Sequence, residues 1–326
     1  MNLLVTGGAG YIGSHFINLL KDTQHQVWIV DNLRESDKNI ISASNLHYEQ
    51  IDLLDAELLD QVFANKIDAV IHFAAMASVP DSVREPLNYY NNNVIGALNL
   101  LSAMQRHNVT KIIASSSAAV YGEPQTEEIQ EDHVKKPTKP YGSTKLMIEQ
   151  IFQDCHQAYG LSSISFRYFC AAGVDNEAGL GEYHTPETHV IPSIVETILG
   201  HRANFTIHGN DYDTPDGTPI RDFIHVNDVA RAHLQALTIL NEQSEPCCEF
   251  YNIGSNIGFS VLELIAHAEK LSGKKLNYQI GPRRAGDPSR LISDNSLAKT
   301  KLGWEPTESD ITTLVASAYK FFQTKS

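Results

Sequence analysis

Leu3-Leu4-Val5-Thr6-Gly7-Gly8-Ala9-Gly10-Tyr11-Ile12-Gly13 runs an apolar stretch into a glycine-rich turn and on into a helical pattern. A strand-to-helix turn of this kind is a pyrophosphate cradle. Gly7 permits the sharp turn, Gly10 lets backbone approach a phosphate, and Gly13 lets helix and strand pack closely. The helix N-terminus, with the backbone of Tyr11 and Ile12, offers N–H groups and a positive dipole end to an anion. Glycine-rich turns are common, so the flanks matter. Val27-Trp28-Ile29-Val30 reads as a second strand and ends in Asp31. A carboxylate there accepts hydrogen bonds from a ribose diol and repels a 2′-phosphate, which predicts NAD rather than NADP.

Outward from this turn, the first half alternates β-rich runs with helical patterns. Strands are expected at 2–6, 26–31, 46–51, 69–73, 110–115 and 162–167, with helices near 11–21, 55–64, 84–107 and 141–158. That alternation predicts an α/β fold: a Rossmann-type, doubly wound parallel sheet with helices on both faces. After residue 168, Gly, Pro, His and Asn become frequent through 173–192 and 208–219. Helical patterns follow at 226–241, 260–271, 295–302 and 310–323. The division expected is 1–168 for NAD, with return segments near 221–253, and 169–326 as a smaller α/β region mainly for substrate. Ligands are expected at the C-terminal edge of the sheet, where strand order reverses.

The 326 residues suffice for one large domain or two closely joined ones. No stretch approaches the roughly 20 apolar residues of a membrane span, and residues 1–6 carry no basic leader. Cys155, Cys170, Cys247 and Cys248 lack zinc-ligand spacing, so reduced thiols in a cytoplasmic protein are expected, with no metal. A formal charge of -14 disfavours nucleic acid and anionic membrane as partners. An acidic chain that holds a polyanionic nucleotide must do so locally, through helix N-termini and a few placed arginines.

Tyr141-Gly142-Ser143-Thr144-Lys145 opens a helix directly after Pro140. A spacing of four puts the Tyr and Lys side chains on one face, a turn apart. A phenol with a reference pKa of about 10 is a poor base at neutral pH, and a neighbouring ammonium or oxidised nicotinamide favours the phenolate. Ser115-Ser116-Ser117 ends the strand at 110–115, where a hydroxyl can point toward substrate. Alone, Tyr-x-x-x-Lys is an ordinary amphipathic helix with a surface lysine. Joined to the glycine loop, Asp31 and the serine run, it reads as an alcohol-oxidising site beside NAD.

The chain resembles the extended short-chain dehydrogenase/reductase family and, within it, the UDP-glucose 4-epimerases. The matching motifs run nearly end to end. They are Thr6 to His15, Asp31-Asn32-Leu33, His72-Phe73-Ala74-Ala75, Tyr89 to Val94, Ser115 to Gly122 and Tyr141 to Lys145. The second half adds Gly209-Asn210-Asp211-Tyr212, Arg221 to Val226 and Arg283-Arg284-Ala285-Gly286-Asp287.

The resemblance implies a tightly held NAD, reduced and reoxidised within one turnover. Tyr141 would take the proton of a sugar 4-hydroxyl as hydride leaves C4. Lys145 would hold the nicotinamide ribose and depress the Tyr141 pKa, and Ser117 would hydrogen-bond the reacting oxygen. A 4-keto sugar would then rotate and take hydride back on its other face, which requires loose contacts to sugar and firm ones to UDP. The family pattern gives the firm contacts to Arg221 and Arg284, with Asp287 on the uridine ribose; guanidinium forks suit diphosphate oxygens. The alternative for these arginines is an ion pair with Asp222 or Asp287. Asp52 and Leu53 match positions flanking adenine. Asn32, Phe73, Ala74, Ala75, Asn92, Ser115 and Tyr168 match further cofactor contacts, Asn92 reading equally as a helix-cap or core amide. Cys170, His189, Val190, Thr206, His208 and Leu291 match positions around the substrate.

Two positions depart from the pattern. Cys170 stands where relatives commonly carry an Asn that contacts the diphosphate, and a thiol is a weak donor. Ala77 stands where some relatives carry a Lys. Leu291 occupies the position where a bulky Tyr excludes N-acetylated sugars, so UDP-glucose/UDP-galactose is the main expectation, with UDP-N-acetylglucosamine open. Ala118-Ala119 leaves a dehydratase without its acid. A 4-epimerase for UDP-glucuronate or a UDP-pentose shares all the core chemistry, and a non-catalytic NAD-sensing module is disfavoured by an intact Ser117, Tyr141 and Lys145. His184, His189, His201 and His208 show no ligand spacing. The helical patterns at 84–107 and 141–158 resemble those that pair in dimeric relatives, so a homodimer is expected.

Overall fold

The computed structural model describes residues 1–34, 40–183, 187–284 and 286–324. Contacts divide them into two units: Met1–Gly122, Asp132–Tyr168 and Ala230–Tyr251 form unit 1, and Glu123–Glu131, Phe169–Val229 and Asn252–Ser326 form unit 2.

Unit 1 is built on β1 (Asn2–Thr6), β2 (Gln26–Asp31), β3 (Leu46–Gln50), β4 (Ala69–His72), β5 (Lys111–Ser117) and β6 (Ser162–Tyr168). They pair in parallel in the order β3-β2-β1-β4-β5-β6. Leu3 and Leu4 point to opposite faces and are both fully buried, as a sheet covered on two sides requires. On one face α2 (Ala56–Val62), α5 (Gly96–Arg106) and α6 (Pro140–Tyr159) bury Leu59, Leu100, Met104, Ile148 and Phe152 against Leu4, Val70 and Ile112. The chain enters α1 (Tyr11–Leu20) straight from β1. A seventh strand, β10 (Cys248–Ile253), closes the sheet beside β6. The six strands read from sequence all form; this seventh was not among them.

β1 lies between β2 and β4, so strand order reverses there, the point at which open α/β sheets bind ligands beyond the C-terminal strand ends. The backbone crosses that point closely. Phe73 and Ala74 N–H groups both donate to Thr6 O, at 2.9 and 3.1 Å.

The single helix expected over 84–107 is not what forms. α3 (Val79–Arg84) stops before Glu85, α4 (Pro86–Tyr89) restarts at a proline, and a π-helical turn spans Tyr90–Ile95 before α5. Pro86 disfavours helical geometry at the preceding residue, and Glu85 sits at φ -128, ψ 55. By contrast α6 runs unbroken for 20 residues, with Pro140 in its first turn and Gly160 in a left-handed C-cap at φ 75.

In unit 2, β7 (Cys170–Ala172), β9 (Ile220–His225), β11 (Gly258–Ser260) and β13 (Arg290–Leu291) make one small sheet, and β8 (Phe205–His208) pairs with β12 (Tyr278–Gly281). α7 (Val190–Leu199), α9 (Val261–Ser272) and α11 (Ile311–Gln323) pack Ile191, Val195, Leu264, Leu314 and Phe321 into its core. A Ser260–Glu263 capping box starts α9. α8 (Val226–Glu242) begins in unit 2 and enters unit 1 at Ala230, and α10 (Ser296–Leu302) lies in unit 2. Among the described residues, no helix is long and apolar enough to cross a membrane.

Candidate active site

The glycine turn sits at the strand-order reversal. Gly7 adopts φ +73, and a Cβ there would lie 2.5 Å from Ala74 N. A Cβ on Gly13 would lie 2.2 Å from Gly7 O. Both glycines therefore serve the close packing of β1, the loop after β4 and α1. Gly10 differs: a Cβ there would meet one atom within contact range, Gly7 O at 3.3 Å. It is also the N-cap of α1, with no side-chain cap and no acidic residue in the first turn. The positive end of the helix thus keeps its capacity for an anion, beside Tyr11 and Ile12.

Asp31 ends β2 and faces this turn. Its Oδ2 accepts from Ala9 N at 3.0 Å and its Oδ1 from Leu33 N at 2.9 Å. Burial pushes its carboxyl pKa up while these two N–H groups pull it down. A carboxylate has about four acceptor sites, so capacity for a diol is left. Asn32 donates to Asp52 Oδ2 at 3.0 Å, and Leu53 is buried under Gly96. These features fit a dinucleotide with a free adenosine ribose.

Ser117, Tyr141 and Lys145 come together where β5 meets α6. The Ser117 hydroxyl accepts from Ala119 N at 3.2 Å and lies close enough to Tyr141 to lower its pKa. Lys145 Nζ donates to Ser115 O at 2.9 Å and Ser115 Oγ at 3.2 Å, and lies 6.0 Å from the Tyr141 ring centre. Burial pushes Tyr141 up to about 12, against the lowering by Ser117. Burial likewise pulls Lys145 down to about 8, opposed by the Glu149 carboxylate. For the phenol, desolvation outweighs the lowering by Ser117.

The other positions expected on the cofactor side lie on neighbouring elements of unit 1. Phe73 packs 4.7 Å, centre to centre, from the His233 ring, and Tyr168 Oη lies 2.7 Å from His233 Nε2. Burial, and then the charge of Tyr141, push Tyr168 well up. Ala74 and Ala75 are half-buried in the loop after β4. Asn92 lies in the π turn and donates to Asn93 Oδ1 at 2.9 Å. Asn93 also accepts from Met76 N and donates to Met76 O and Thr144 Oγ1, at 2.9, 3.0 and 3.1 Å. π turns recur at functional sites because they re-aim side chains within a helix. Buried His72, pulled down to about 3 by burial and then by Lys145, is neutral and bonds Thr6 Oγ1 at 2.7 Å.

Unit 2 gathers a second group. Arg221 on β9 donates to Asp287 Oδ1 at 2.5 Å and to Pro288 O at 2.7 Å. Leu291 stands opposite Arg221 in the β13–β9 register, and Cys170 pairs with Phe223 across β7 and β9. Burial pushes the Cys170 thiol up to about 11; Arg221 opposes the shift and Asp222 and Asp287 add to it. Asp222 does not pair with Arg221. It accepts from Ser255, Asn256 and Ser293 in the interior. Thr206 Oγ1 accepts from Gln279 at 3.1 Å. His208 is pulled down by burial and by the exposed Arg284.

His189 and Val190 stand at the start of α7. His189 Nδ1 is 2.8 Å from Glu182 Oε1 and 3.2 Å from Glu187 Oε1. Burial lowers its pKa, but the two carboxylates outweigh this and raise it to about 10. These three side chains are spaced to hold a metal ion, a grouping that histidine spacing alone did not reveal. Glu187 Oε1 already accepts from Thr188 N and His189 N at 2.7 Å each, so the trio reads as a charged cap on α7. His184 and Ala285 lie outside the described residues.

Sequence reasoning missed several residues behind the triplet: Asn93, Thr144, Glu149, Arg167 and His233. Two carried a signal. Glu149 continues the four-residue spacing of Tyr141 and Lys145, and Arg167 interrupts an apolar strand.

A profile of the NAD dependent epimerase/dehydratase family matches residues 3–254. The UDP-glucose 4-epimerase of Halalkalibacterium halodurans is 45% identical over 322 residues, covering 98% of this chain and 95% of that protein. The structure of UDP-glucose 4-epimerase from Stenotrophomonas maltophila with bound NAD and formylated UDP-arabinopyranose has a TM-score of 0.94 at 38% identity, covering 100% of this chain and 98% of that one. The UDP-Glc/GlcNAc 4-epimerase of Campylobacter jejuni has a TM-score of 0.85 at 39% identity, covering 99% of each chain.

Proposed function

The chain belongs to the NAD dependent epimerase/dehydratase family, and we propose that it interconverts UDP-galactose and UDP-glucose by inverting C4 through a 4-keto intermediate. The observation that carries this is the triplet: Ser117 close enough to Tyr141 to lower its pKa, with Lys145 held on Ser115 one helical turn away. When bound, NAD supplies a hydride acceptor and donor and, oxidised, a positive charge. Gly10, Tyr11 and Ile12 at the start of α1, with Asp31, would hold it.

Tyr141 keeps its proton at neutral pH in this structure, since its pKa is about 12. It must be brought down to accept the sugar 4-hydroxyl proton, and the Lys145 ammonium and the positive charge of an oxidised nicotinamide would favour the phenolate. Ser117 aligns the 4-oxygen, and Tyr141 returns the proton when the sugar is reduced again. Lys145, with a pKa of about 8, carries a charge at neutral pH and anchors a ribose. Arg221, Arg284 and Asp287 are proposed as the firm UDP contacts, with Cys170, His189, Val190, Thr206 and His208 beside them. The Arg221–Asp287 pair costs the arginine part of its capacity until a diphosphate competes for it.

Leu291 favours a second, wider reading. An aliphatic side chain faces Arg221 in the β13 register, and a relative of 39% identity is a UDP-Glc/GlcNAc 4-epimerase. N-acetylated sugars are therefore proposed as additional substrates.

A homodimer is part of the proposal. Val83, Leu87, Ile95, Leu98 and Met147, on α3 to α6 and the π turn, are exposed apolar side chains, Leu87 at 81%; such patches favour a partner surface. A cytoplasmic setting is supported by four free thiols. The direct test is conversion of UDP-galactose to UDP-glucose by the purified protein; no conversion at full NAD occupancy would overturn the reading.

A further inference from the structure

Three consecutive serines of β5 stand against three residues of α6 spaced four apart. Ser115 holds Lys145, Ser116 Oγ donates to Glu149 Oε1 at 2.6 Å, and Ser117 lies close enough to Tyr141 to lower its pKa. Glu149 in turn is locked from the neighbouring strand. Arg167, opposite Ser116 in the β5–β6 register, donates from Nε to Glu149 Oε1 at 2.9 Å and from Nη2 to Oε2 at 2.7 Å. Its Nη1 reaches Tyr121 Oη at 2.9 Å, and its guanidinium stacks 5.1 Å from the Phe250 ring. Arg167 and Glu149 are 2% and 3% exposed. Burying an ion pair this deeply rarely gains stability over an apolar pair of the same volume. Its value lies in demanding one geometry. Sliding a helix by one residue moves it about 1.5 Å and turns it about 100°, which would break the bidentate fork.

We propose that Glu149 and Arg167 are positioning residues for the proton-transfer step. Resting on the epimerase reading, this assigns them the task of fixing the register of α6 on β5, and hence Tyr141 on Ser117. The carboxylate also faces Lys145 along the helix and offsets part of the desolvation of its ammonium. Other titratable groups near the pair are Lys135, Tyr121 and Cys248, and His72 lies near Lys145. Of these, His72 is neutral, Lys135 is pulled down by burial, and the Cys248 thiol is pushed up by burial.

Two variants test this in the NAD-loaded protein: Glu149→Gln, and the apolar double replacement Glu149→Leu/Arg167→Met. Lysine Cε NMR titration follows Lys145, which at about 8 stands apart from ordinary lysines, and it reads the coupling without any substrate. Glu149→Gln is expected to move that titration down by about one pH unit. It should lower kcat for UDP-galactose at least about tenfold with KM changed less than about threefold. The double variant should melt at the wild-type temperature or higher and still show the kcat loss, because packing is restored and register is not. Wild-type kcat in a folded double variant would overturn the proposal, as would an unmoved lysine titration in Glu149→Gln. If the wild type fails to epimerise, the function falls, and the lysine titration alone decides the coupling.

Discussion

Lys145 meets Ser115 twice, its Nζ lying 2.9 Å from the serine carbonyl oxygen and 3.2 Å from its hydroxyl. This fixes an ammonium group near the Tyr141 ring, in a site dry enough to hold the lysine at about 8. Lys145→Met removes the charge and keeps the stem, so kcat should fall about a hundredfold or more. Wild-type activity that depends on the ammonium should fade as pH rises through about 8. A pH–rate profile of both proteins checks this: the limb near 8 is present in the wild type and absent in the variant.

The residues proposed for the mechanism could be picked out because their patterns are local in sequence: a glycine turn after a strand, an acid at the next strand end, Tyr and Lys one turn apart. What was not legible depends on pairing at long range. Arg167 and Glu149 are 18 residues apart, and Asn93 meets Thr144 over 51. β10 was missed because its run Cys248–Ile253 carries Glu249 and Asn252 among its apolar residues, which weakens a buried-strand signal. The helix over 84–107 failed at Pro86, which periodicity alone overlooks. The short strands of unit 2 are only two to six residues long, as with Arg290–Leu291 and Ile220–His225, and give no periodicity to read.

Two histidines should give opposite pH slopes in stability. His72 is held at about 3 in the folded protein. Below its ordinary value of about 6.5, the unfolded chain binds a proton that the folded protein refuses, costing up to ~1.4 kcal/mol per pH unit down to about 3. His189 is raised to about 10, so its stabilisation is complete below about 6.5 and is lost as pH rises through 10. Its ring is 52% exposed, and solvent screening makes this the smaller effect. Thermal melts across pH 4 to 10 should show a shallower acid slope in His72→Gln and a shallower alkaline slope in His189→Gln. Unchanged slopes would contradict the burial and pairing described for each.

Substrate breadth should turn on Leu291. Leu291→Tyr should cut turnover of UDP-N-acetylglucosamine at least about tenfold while sparing UDP-galactose, since added bulk next to a pocket excludes the larger substituent. Parallel assays with both sugars decide this, and equal losses on both would place Leu291 away from the C2 substituent.

Leu87, 81% exposed on α4, is expected at the centre of the dimer face. Leu87→Asp with Val83→Asp should shift the protein from dimer to monomer in light scattering after gel filtration. A persistent dimer would move the interface elsewhere.

On the proposed mechanism Tyr141 moves the proton in a 4-epimerisation that needs no added cofactor. Purified wild-type protein and Tyr141→Phe should be given UDP-galactose without NAD, and UDP-glucose followed by NMR. Conversion by the wild type to a fixed equilibrium ratio is expected, with a loss of at least about a thousandfold in a variant that still carries NAD. Conversion at a wild-type rate by Tyr141→Phe would contradict it.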